Sequence, residues 1–366
     1  MNTLTKRVDM KESIMNYTLD ELKNIVKPSF RAKQIYGWTY HKYVESFSDM
    51  ANLPKTLIEE LDDKFILNPL KIVKKELSND GTIKYLLQLQ DEKTIEAVWL
   101  KMKEEQLNSN GEVSQEAKYT ICVSTQVGCK VGCSFCLTAK GGFTRDLTPS
   151  EIVAQVLTLK KDNKHKHNRK INIVYMGMGE PLDNLDNLSK AIQIFTEKDG
   201  LAIGAKRQTV STSGLSNKID QLGSMDLGVH IAISLHAVDD DLRTELIPMN
   251  KAHNINSIIE AVKRFPIDTR KRVMFEYLVI KGKNDDLNSA KKLIKLLTGI
   301  KAKVNLIYFN PYPGTDYERP LKEDMTRFSD FLIKHGLLCT IRDSKGIDIS
   351  AACGQLKEKN KEEIAS

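Results

Sequence analysis

The chain has 366 residues, of which 41% are hydrophobic, and it carries 55 Lys and Arg against 48 Asp and Glu. This composition is typical of a large folded protein and excludes global disorder. The formal net charge of +7 permits a polyanionic partner without establishing one. The sequence shows no signal peptide and no apolar run long enough to span a bilayer. We therefore expect a cytoplasmic protein without membrane contact, whose six cysteines are reduced.

The N-terminal part of the chain predicts short helices. Residues 31–44 combine four aromatic residues with Lys33, His41 and Lys42. This mixture suits phosphate contact and base stacking in RNA, and it equally suits a solvated helix face above an aromatic core stripe. We predict that residues 1–69 form a helical accessory domain that contacts RNA.

A small β element follows the helices. Residues 70–77, 82–89 and 94–100 are β-rich, and Asp80-Gly81 is a favourable hairpin turn. Residues 101–118 are polar and indicate a surface excursion. We predict that residues 70–118 form a β-hairpin element and a polar loop that lead into the core.

The remaining chain alternates β-like apolar runs with amphipathic helices such as 149–159 and 255–265, the pattern of successive βα units on a parallel sheet. The predicted core strands are 119–124, 171–176, 207–211, 230–235, 272–280 and 304–309. The expected fold class is α/β, with a partial (β/α)6 TIM-like barrel over residues 119–356 and a charged tail at 357–366. Reactive groups of such folds lie at the C-terminal ends of the strands.

One loop offers three closely spaced thiols, because Cys129, Cys133 and Cys136 follow a C-x3-C-x2-C spacing. Four thiolates normally hold a 4Fe-4S cluster, so three leave one iron open to a substrate or cofactor. A structural zinc site is the alternative, but it needs a fourth ligand. His165 and His167 are poor candidates for that ligand, since their lysine-rich surroundings indicate a solvated loop.

Further motifs extend this pattern into a family resemblance. They are residues 122–129 (Cys-Val-Ser-Thr-Gln-Val-Gly-Cys), 177–181 (Gly-Met-Gly-Glu-Pro), 234–236 (Ser-Leu-His) and 351–356 (Ala-Ala-Cys-Gly-Gln-Leu). Together with the cysteine loop they resemble the radical S-adenosylmethionine RNA methyltransferases of the RlmN/Cfr type. The resemblance runs from the N-terminal aromatic helix to Leu356.

The resemblance implies two cofactors, which are one 4Fe-4S cluster held by the three cysteines and S-adenosylmethionine on its open iron, used twice per turnover. Taken singly, several of the matching positions also suit an ordinary structural role, such as a turn hydroxyl at Ser211 or Ser234. The positions that match the S-adenosylmethionine site are Gly179, Glu180, Ser211, Ser234, Leu235, His236 and Asn310.

The resemblance also implies the catalytic residues. Cys353 matches the cysteine that is methylated first and then carries the carbon to adenine, Cys122 matches the resolving thiol that forms a transient disulfide with it, and Glu96 matches the proton acceptor. Cys122 also suits a buried small hydrophobe, which is the only interpretation of Cys339. Glu92 competes with Glu96, because the polar excursion after Glu96 is longer than the family's.

Within the family, residues 310–314 (Asn-Pro-Tyr-Pro-Gly) and 30–36 (Phe-Arg-Ala-Lys-Gln-Ile-Tyr) resemble the C2-methylating enzymes more closely. The resemblance therefore implies C2 methylation of adenosine in 23S rRNA at the peptidyl-transferase centre and in tRNA 3′ of the anticodon. The alternative is the C8-methylating resistance enzyme, which uses the same cysteines. A different class of protein also remains open, namely a non-catalytic iron–sulfur or zinc RNA-binding module. Expected partners are the two RNAs and a flavodoxin- or ferredoxin-like electron donor, and we expect a monomer.

Overall fold

The computed structural model describes residues 11–268 and 271–357, so most of the predicted tail at 357–366 lies outside the described residues. Strand bounds are β1 (Glu12–Ser13), β2 (Phe65–Ile66), β3 (Lys71–Leu77), β4 (Ile83–Gln88), β5 (Thr94–Lys103), β6 (Gln106–Leu107), β7 (Val113–Gln115), β8 (Lys118–Cys122), β9 (Gln126–Gly128), β10 (Phe143–Asp146), β11 (Asn172–Tyr175), β12 (Gln208–Thr212), β13 (His230–Ser234), β14 (Val273–Val279), β15 (Ala302–Tyr308) and β16 (Leu338–Arg342).

Helices alternate with these strands in the second part of the chain. Helix bounds are α1 (Leu19–Ile25), α2 (Phe30–Gly37), α3 (Lys55–Lys64), α4 (Leu137–Lys140), α5 (Pro149–Asp162), α6 (Leu185–Thr196), α7 (Ser216–Ser224), α8 (Asp240–Leu246), α9 (Ile255–Arg264), α10 (Leu287–Leu297) and α11 (Lys322–Lys334). None of the helices in the described ranges has the length and apolar character needed to cross a membrane.

One ten-stranded sheet organises the molecule, in the order β16-β15-β14-β13-β12-β11-β8-β5-β4-β3. Within this sheet, neighbouring strands from β8 to β16 are all parallel, and helices connect them. The six predicted core strands and the α/β class are therefore confirmed. The sequence prediction missed β16, which follows the sixth βα unit, because its half-exposed edge position leaves no continuous apolar run.

Helix α9 shows why the connecting segments become helices that pack on the sheet. The Asn254 side chain caps its first turn by accepting from Ser257 N. Its buried positions include Ile255, Ile258 and Val262, a spacing that places apolar side chains on one helical face. The opposite face, with Lys263 for example, remains in water.

Antiparallel strands extend the sheet beyond β8. Strands β3, β4 and β5 form a meander, and β5 pairs with β8. Gly81 adopts φ +79° in the β3–β4 turn, a conformation that favours glycine. The polar excursion is partly ordered into strands, since β5 continues to Lys103 and β6 pairs with β7.

The N-terminal helices pack against the parallel part of the fold. The helix predicted at 31–44 appears as α2 followed by a π-helical turn, Trp38–Lys42. Lys33 Nζ pairs with Asp199 Oδ2 at 2.9 Å, and His41 Nε2 lies 2.8 Å from the carbonyl oxygen of Gly200. Both side chains therefore contact the βα part of the chain, while RNA contact by this region stays a prediction.

The lysine-rich stretch around His165 is exposed at residues 166–170, as predicted, but two of its side chains are buried. Lys160 is fully buried and donates to the carbonyl of His167, and the His165 ring packs edge-on against Trp99 and Tyr119. The solvated-loop interpretation is therefore wrong for His165, because aromatic residues of β5 and β8 cover its ring.

Candidate active site

A short hairpin closes the base of the cysteine loop. Strands β9 and β10, on either side of it, pair antiparallel, and Cys129 N donates to the carbonyl of Gly142 at 2.7 Å. Gly128 adopts φ +77°, and a Cβ there would lie 2.0 Å from the Gly142 oxygen, so no side chain fits. The close packing of Gly128 against Gly142 therefore fixes the backbone at the start of the cysteine loop.

The three thiols of this loop line one cavity of about 160 Å³. Cys136 N donates to the Cys133 carbonyl at 3.2 Å, which folds the middle of the loop. Leu137 N donates to the carbonyl of Gly354 at 2.7 Å and so joins the loop to the C-terminal segment. The cysteine loop and the segment that carries Cys353 are thus held next to each other by a backbone hydrogen bond.

Burial raises the pKa of Cys129 to about 12 and the pKa of Cys133 well above its ordinary value. These thiols therefore need nearby positive charge, such as bound iron, to become thiolates. The residues described here include no group of three or more His, Cys, Asp or Glu side chains arranged around a single ion. Each thiolate of an iron–sulfur cluster binds a different iron, so its three cysteines do not have to converge on one ion.

The turn after β11 presents Gly179 and Glu180 to the same cavity. Gly179 adopts φ +100°, and a Cβ there would lie 2.6 Å from the Gln126 side chain. Glu180 is buried, which raises its pKa, and its carboxylate accepts from Leu182 N at 3.0 Å and Ser213 N at 2.6 Å. The Gly179 backbone in this turn can therefore lie close to a ligand in the cavity. The Glu180 carboxylate beside it is held in place by its hydrogen bonds.

The ends of the next strands complete this wall. Ser211, Ser234 and His236 line the cavity, whereas Leu235 and Asn310 are buried beside it. Ser211 Oγ donates to the Tyr175 carbonyl at 2.6 Å. The structure thus places five of the seven predicted S-adenosylmethionine positions on one cavity surface.

His236 is held as a neutral ring. Leu278 N donates to its Nδ1 at 3.0 Å, which assigns the ring proton to Nε2. Burial lowers the pKa of His236 to about 3, and the Arg243 charge acts in the same direction. Its backbone has φ +59°, an uncommon conformation for a residue other than glycine. The ring therefore offers one N–H donor.

A second cavity, of about 310 Å³, adjoins the first. Cys122 and Cys353 both line it, and Cys353 lines the first cavity as well. Cys353 is solvent-exposed because it lies where the two cavities meet, and both thiols are free in this structure. Apolar side chains form most of the remaining wall, which includes Val98, Leu100, Val174, Met176, Ile307 and Ile341.

Glu96 lies on β5, two positions before Val98 and therefore on the same face of the strand. Its carboxylate is buried, accepts from Lys357 N at 3.0 Å and lies 3.5 Å from Lys84 Nζ. The structure does not bring Glu96 into the cavity wall itself. The competitor Glu92 lies in an exposed turn with φ +66°.

Comparisons with known proteins decide the family. A family model described as Radical SAM superfamily matches residues 123–294, and one described as Ribosomal RNA large subunit methyltransferase N-terminal domain matches 9–67. A Sulfurimonas denitrificans protein named Dual-specificity RNA methyltransferase RlmN is 79% identical, over 97% of this chain and 100% of its own length. The chain belongs to the RlmN family. The predicted resemblance is therefore confirmed.

Two further similar proteins also match nearly the whole chain. A relative of the same name from Aliarcobacter butzleri is 64% identical over 95% of this chain and 96% of its own length. The crystal structure of a radical SAM methyltransferase from Sphaerobacter thermophilus matches with a TM-score of 0.86 and 41% identity, over 94% of this chain and 99% of that one.

Membership in the radical SAM superfamily implies a 4Fe-4S cluster and S-adenosylmethionine, and the residues of this RlmN-family chain fit both. Cys129, Cys133 and Cys136 could hold the cluster. The adjoining wall contains a buried carboxylate oxygen without a hydrogen-bond partner among the described residues, Glu276 Oε2. Because an unpartnered buried polar atom is costly, this oxygen indicates a polar ligand.

Sequence reasoning missed three charged residues of this RlmN-family site. Glu276 is buried in the wall of the cavity that the three cluster cysteines line. Arg342 pairs with Glu276 and lines the second cavity, which contains Cys122 and Cys353. Arg243 is fully buried and donates to the carbonyls of Ser213 and Ser234, so it ties neighbouring strand ends together. Charges inside apolar strands or helices give no local signal, and only the folded contacts identify them.

Proposed function

We propose that this chain methylates C2 of adenosine in 23S rRNA, at the peptidyl-transferase centre, and in tRNA, at the adenosine 3′ of the anticodon. The reaction passes through S-methylated Cys353 and a transient protein–RNA adduct. The observation that carries the proposal is that Cys353 lies where the cavity of the three cluster cysteines meets the cavity of Cys122.

The substrate chemistry requires such an arrangement. C2 of adenine is electron-poor and does not attack a methyl sulfonium, whereas a thiolate does so directly. Cys353 therefore accepts a methyl group from S-adenosylmethionine first. When bound, the cluster and a second S-adenosylmethionine would supply a carbon-centred radical that removes a hydrogen atom from the methyl group on Cys353, and the remaining methylene carbon would then add to the ring. Gly179, Glu180 and His236 position S-adenosylmethionine within reach of Cys353.

The second cavity provides a place for the target base. Its volume of about 310 Å³ lies within the range of small-molecule sites, and its apolar walls suit a base that has left its stack. A base in this cavity contacts Cys353 and lies beside Cys122. A shared cavity for Cys122 and Cys353 supports a reaction of both thiols with one bound base.

Release of the adduct uses residues at the border of this cavity. Glu96 acts as the proton acceptor for the ring, which requires the main chain of Lys357 to give up its hydrogen bond to the carboxylate. Cys122 then takes the sulfur of Cys353 into a disulfide. An external reductant of flavodoxin or ferredoxin type restores the thiols and supplies electrons to a monomeric enzyme in the cytoplasm.

Mass spectrometry of nucleosides tests the function. The anaerobically reconstituted protein is incubated with reductant, S-adenosylmethionine and either 23S rRNA or tRNA. We expect 2-methyladenosine in both RNAs. 8-Methyladenosine would assign the chain to the C8-methylating branch, and a colourless protein without methyl transfer would favour the non-catalytic RNA-binding module.

A further inference from the structure

Arg342 is fixed beside the two catalytic thiols by a buried partner. It is the last residue of β16, lines the cavity of Cys122 and Cys353, and its Nη1 lies 3.6 Å from Glu276 Oε1. The same carboxylate oxygen accepts from Asn305 Nδ2 at 2.9 Å, which holds Glu276 in place. The Arg342 side chain is still 33% exposed, so its charge reaches the cavity.

The surroundings of Cys122 are otherwise poor in positive charge. Val98 and Val174 lie beside it in the apolar wall. Lys345 also lines the cavity, but Arg342, and not Lys345, is the cation that acts on the pKa of Cys122. The titratable and charged groups that face the thiol or line its cavity are Cys353, Arg342, Asp343 and Lys345, and the main chain of Met176 also interacts with it.

This environment opposes ionisation of Cys122. Burial raises its pKa to about 12 and Cys353 adds to the rise, whereas the Arg342 charge acts in the opposite direction. The thiolate is the nucleophilic form of cysteine, so burial alone leaves Cys122 almost unreactive near neutral pH. A resolving thiol in this position needs a cation, and Arg342 is placed to be that cation.

We infer that Arg342 is a positioning residue that stabilises the Cys122 thiolate for attack on the sulfur of Cys353, an inference that rests on the function proposed above. The starting species is the closed-shell thioether adduct, in which the product of radical addition has lost both the ring proton and one electron, which an oxidised iron–sulfur cluster would accept. The thiolate electron pair forms the S–S bond. The bond from the Cys353 sulfur to the methylene carbon breaks, and its electron pair stays on that carbon, beside the adenine ring.

A proton then completes the methyl group. The two sulfur atoms are oxidised to the disulfide while the methylene carbon is reduced to the methyl, so atoms and electrons balance without a further reactant. Burial raises the pKa of Cys353 and the Arg342 charge also lowers it, so any variant of Arg342 is first checked for methylated Cys353 by peptide mass spectrometry. In the release step the guanidinium acts on the Cys122 thiolate and does not contact the breaking bond.

Alkylation of Cys122 by iodoacetamide tests the inference without RNA turnover. The cluster-containing protein is compared with Arg342→Lys and Arg342→Gln, and modified peptides are quantified by mass spectrometry. Lys and Gln both shorten the side chain, so the comparison isolates charge. We expect Cys122 in the Gln variant to react about tenfold more slowly than in the Lys variant, which corresponds to one pKa unit.

Cys339 provides an internal control. It lies on the same strand as Arg342, is half-buried and carries a free thiol. Its alkylation rate should be equal in all three proteins, whereas a general loosening of β16 raises that rate. If the Gln variant does not fold, Arg342→Met removes the charge and keeps an apolar stem.

A second readout follows the adduct. With RNA, reductant and S-adenosylmethionine, Arg342→Gln should accumulate covalently bound RNA on a denaturing gel, and Arg342→Lys should clear it. Equal Cys122 alkylation in the Lys and Gln variants overturns the inference, even where the wild-type protein makes 2-methyladenosine. Failure of the wild-type protein to methylate RNA overturns the proposed function instead, and leaves the alkylation result valid.

Discussion

The main-chain amide of Lys357 donates a hydrogen bond to Glu96 Oε2 at 3.0 Å, across 261 positions of the chain. The opposite carboxylate oxygen lies 3.5 Å from Lys84 Nζ on the neighbouring strand. Glu96 therefore anchors the segment that carries Cys353, and the predicted proton acceptor and the predicted carbon carrier are mechanically linked.

Substitution Glu96→Gln should stop the reaction after the RNA adduct has formed. Gln can still accept from Lys357 N, so the segment stays anchored, but the ring proton has no acceptor. Loss of a general base slows its step by about 10²- to 10⁴-fold. The measurement is the amount of 2-methyladenosine against covalently bound RNA. Glu92→Gln, in an exposed turn, is the matched control, and equal loss in both variants contradicts the assignment.

Cys122→Ala should trap RNA on the protein. Methylation of Cys353 and addition to the base need no second thiol, whereas release of the sulfur does. RNA should remain attached through denaturing electrophoresis, and mass spectrometry should locate it on Cys353. Cys339→Ala, which removes a thiol outside both cavities, should turn over normally. Normal turnover by Cys122→Ala would falsify its role as the resolving thiol.

Gly179→Ala should weaken S-adenosylmethionine binding. The added Cβ would lie 2.6 Å from the Gln126 side chain and 2.8 Å from its backbone nitrogen, which forces the Glu180 turn to move. Such overpacking costs about 1–3 kcal/mol. Equilibrium binding of S-adenosylmethionine measures the effect. Gly282→Ala shares the positive φ and meets no atom within 4 Å, so it should keep the wild-type affinity.

His236 should stay neutral well below the ordinary pKa of histidine. Burial lowers its folded pKa to about 3, so the unfolded chain binds a proton that the folded chain does not. The contribution of His236 to the free energy of unfolding is fully present above the unfolded pKa of about 6.5. It falls by up to about 1.4 kcal/mol per pH unit as the pH drops toward 3. A ring titration by NMR, with His236→Asn to assign the signal, checks this. Protonation of the ring near pH 6.5 would contradict the buried environment.

In the N-terminal region, local sequence patterns predict the helices but not their contacts with the rest of the protein. Thr18 and Glu21 form a capping box at the start of α1, a local pattern of the sequence, and the aromatic helix begins at Phe30, one residue before its predicted start. The same pattern could not tell which side chains face the rest of the protein. Only the folded contacts direct Lys33 and His41 toward Asp199 and Gly200.

The sequence by itself determined the three-thiol loop and the βα alternation, because ligand spacing within one loop and apolar periodicity within one strand are local properties. Only the tertiary structure decided that Cys122 and Cys353 share a cavity, that Lys357 covers Glu96 and that Arg342 faces both thiols. These contacts join strands and segments far apart in the chain. The distances in these contacts depend on how the whole sheet packs, so they cannot be predicted from a local sequence pattern.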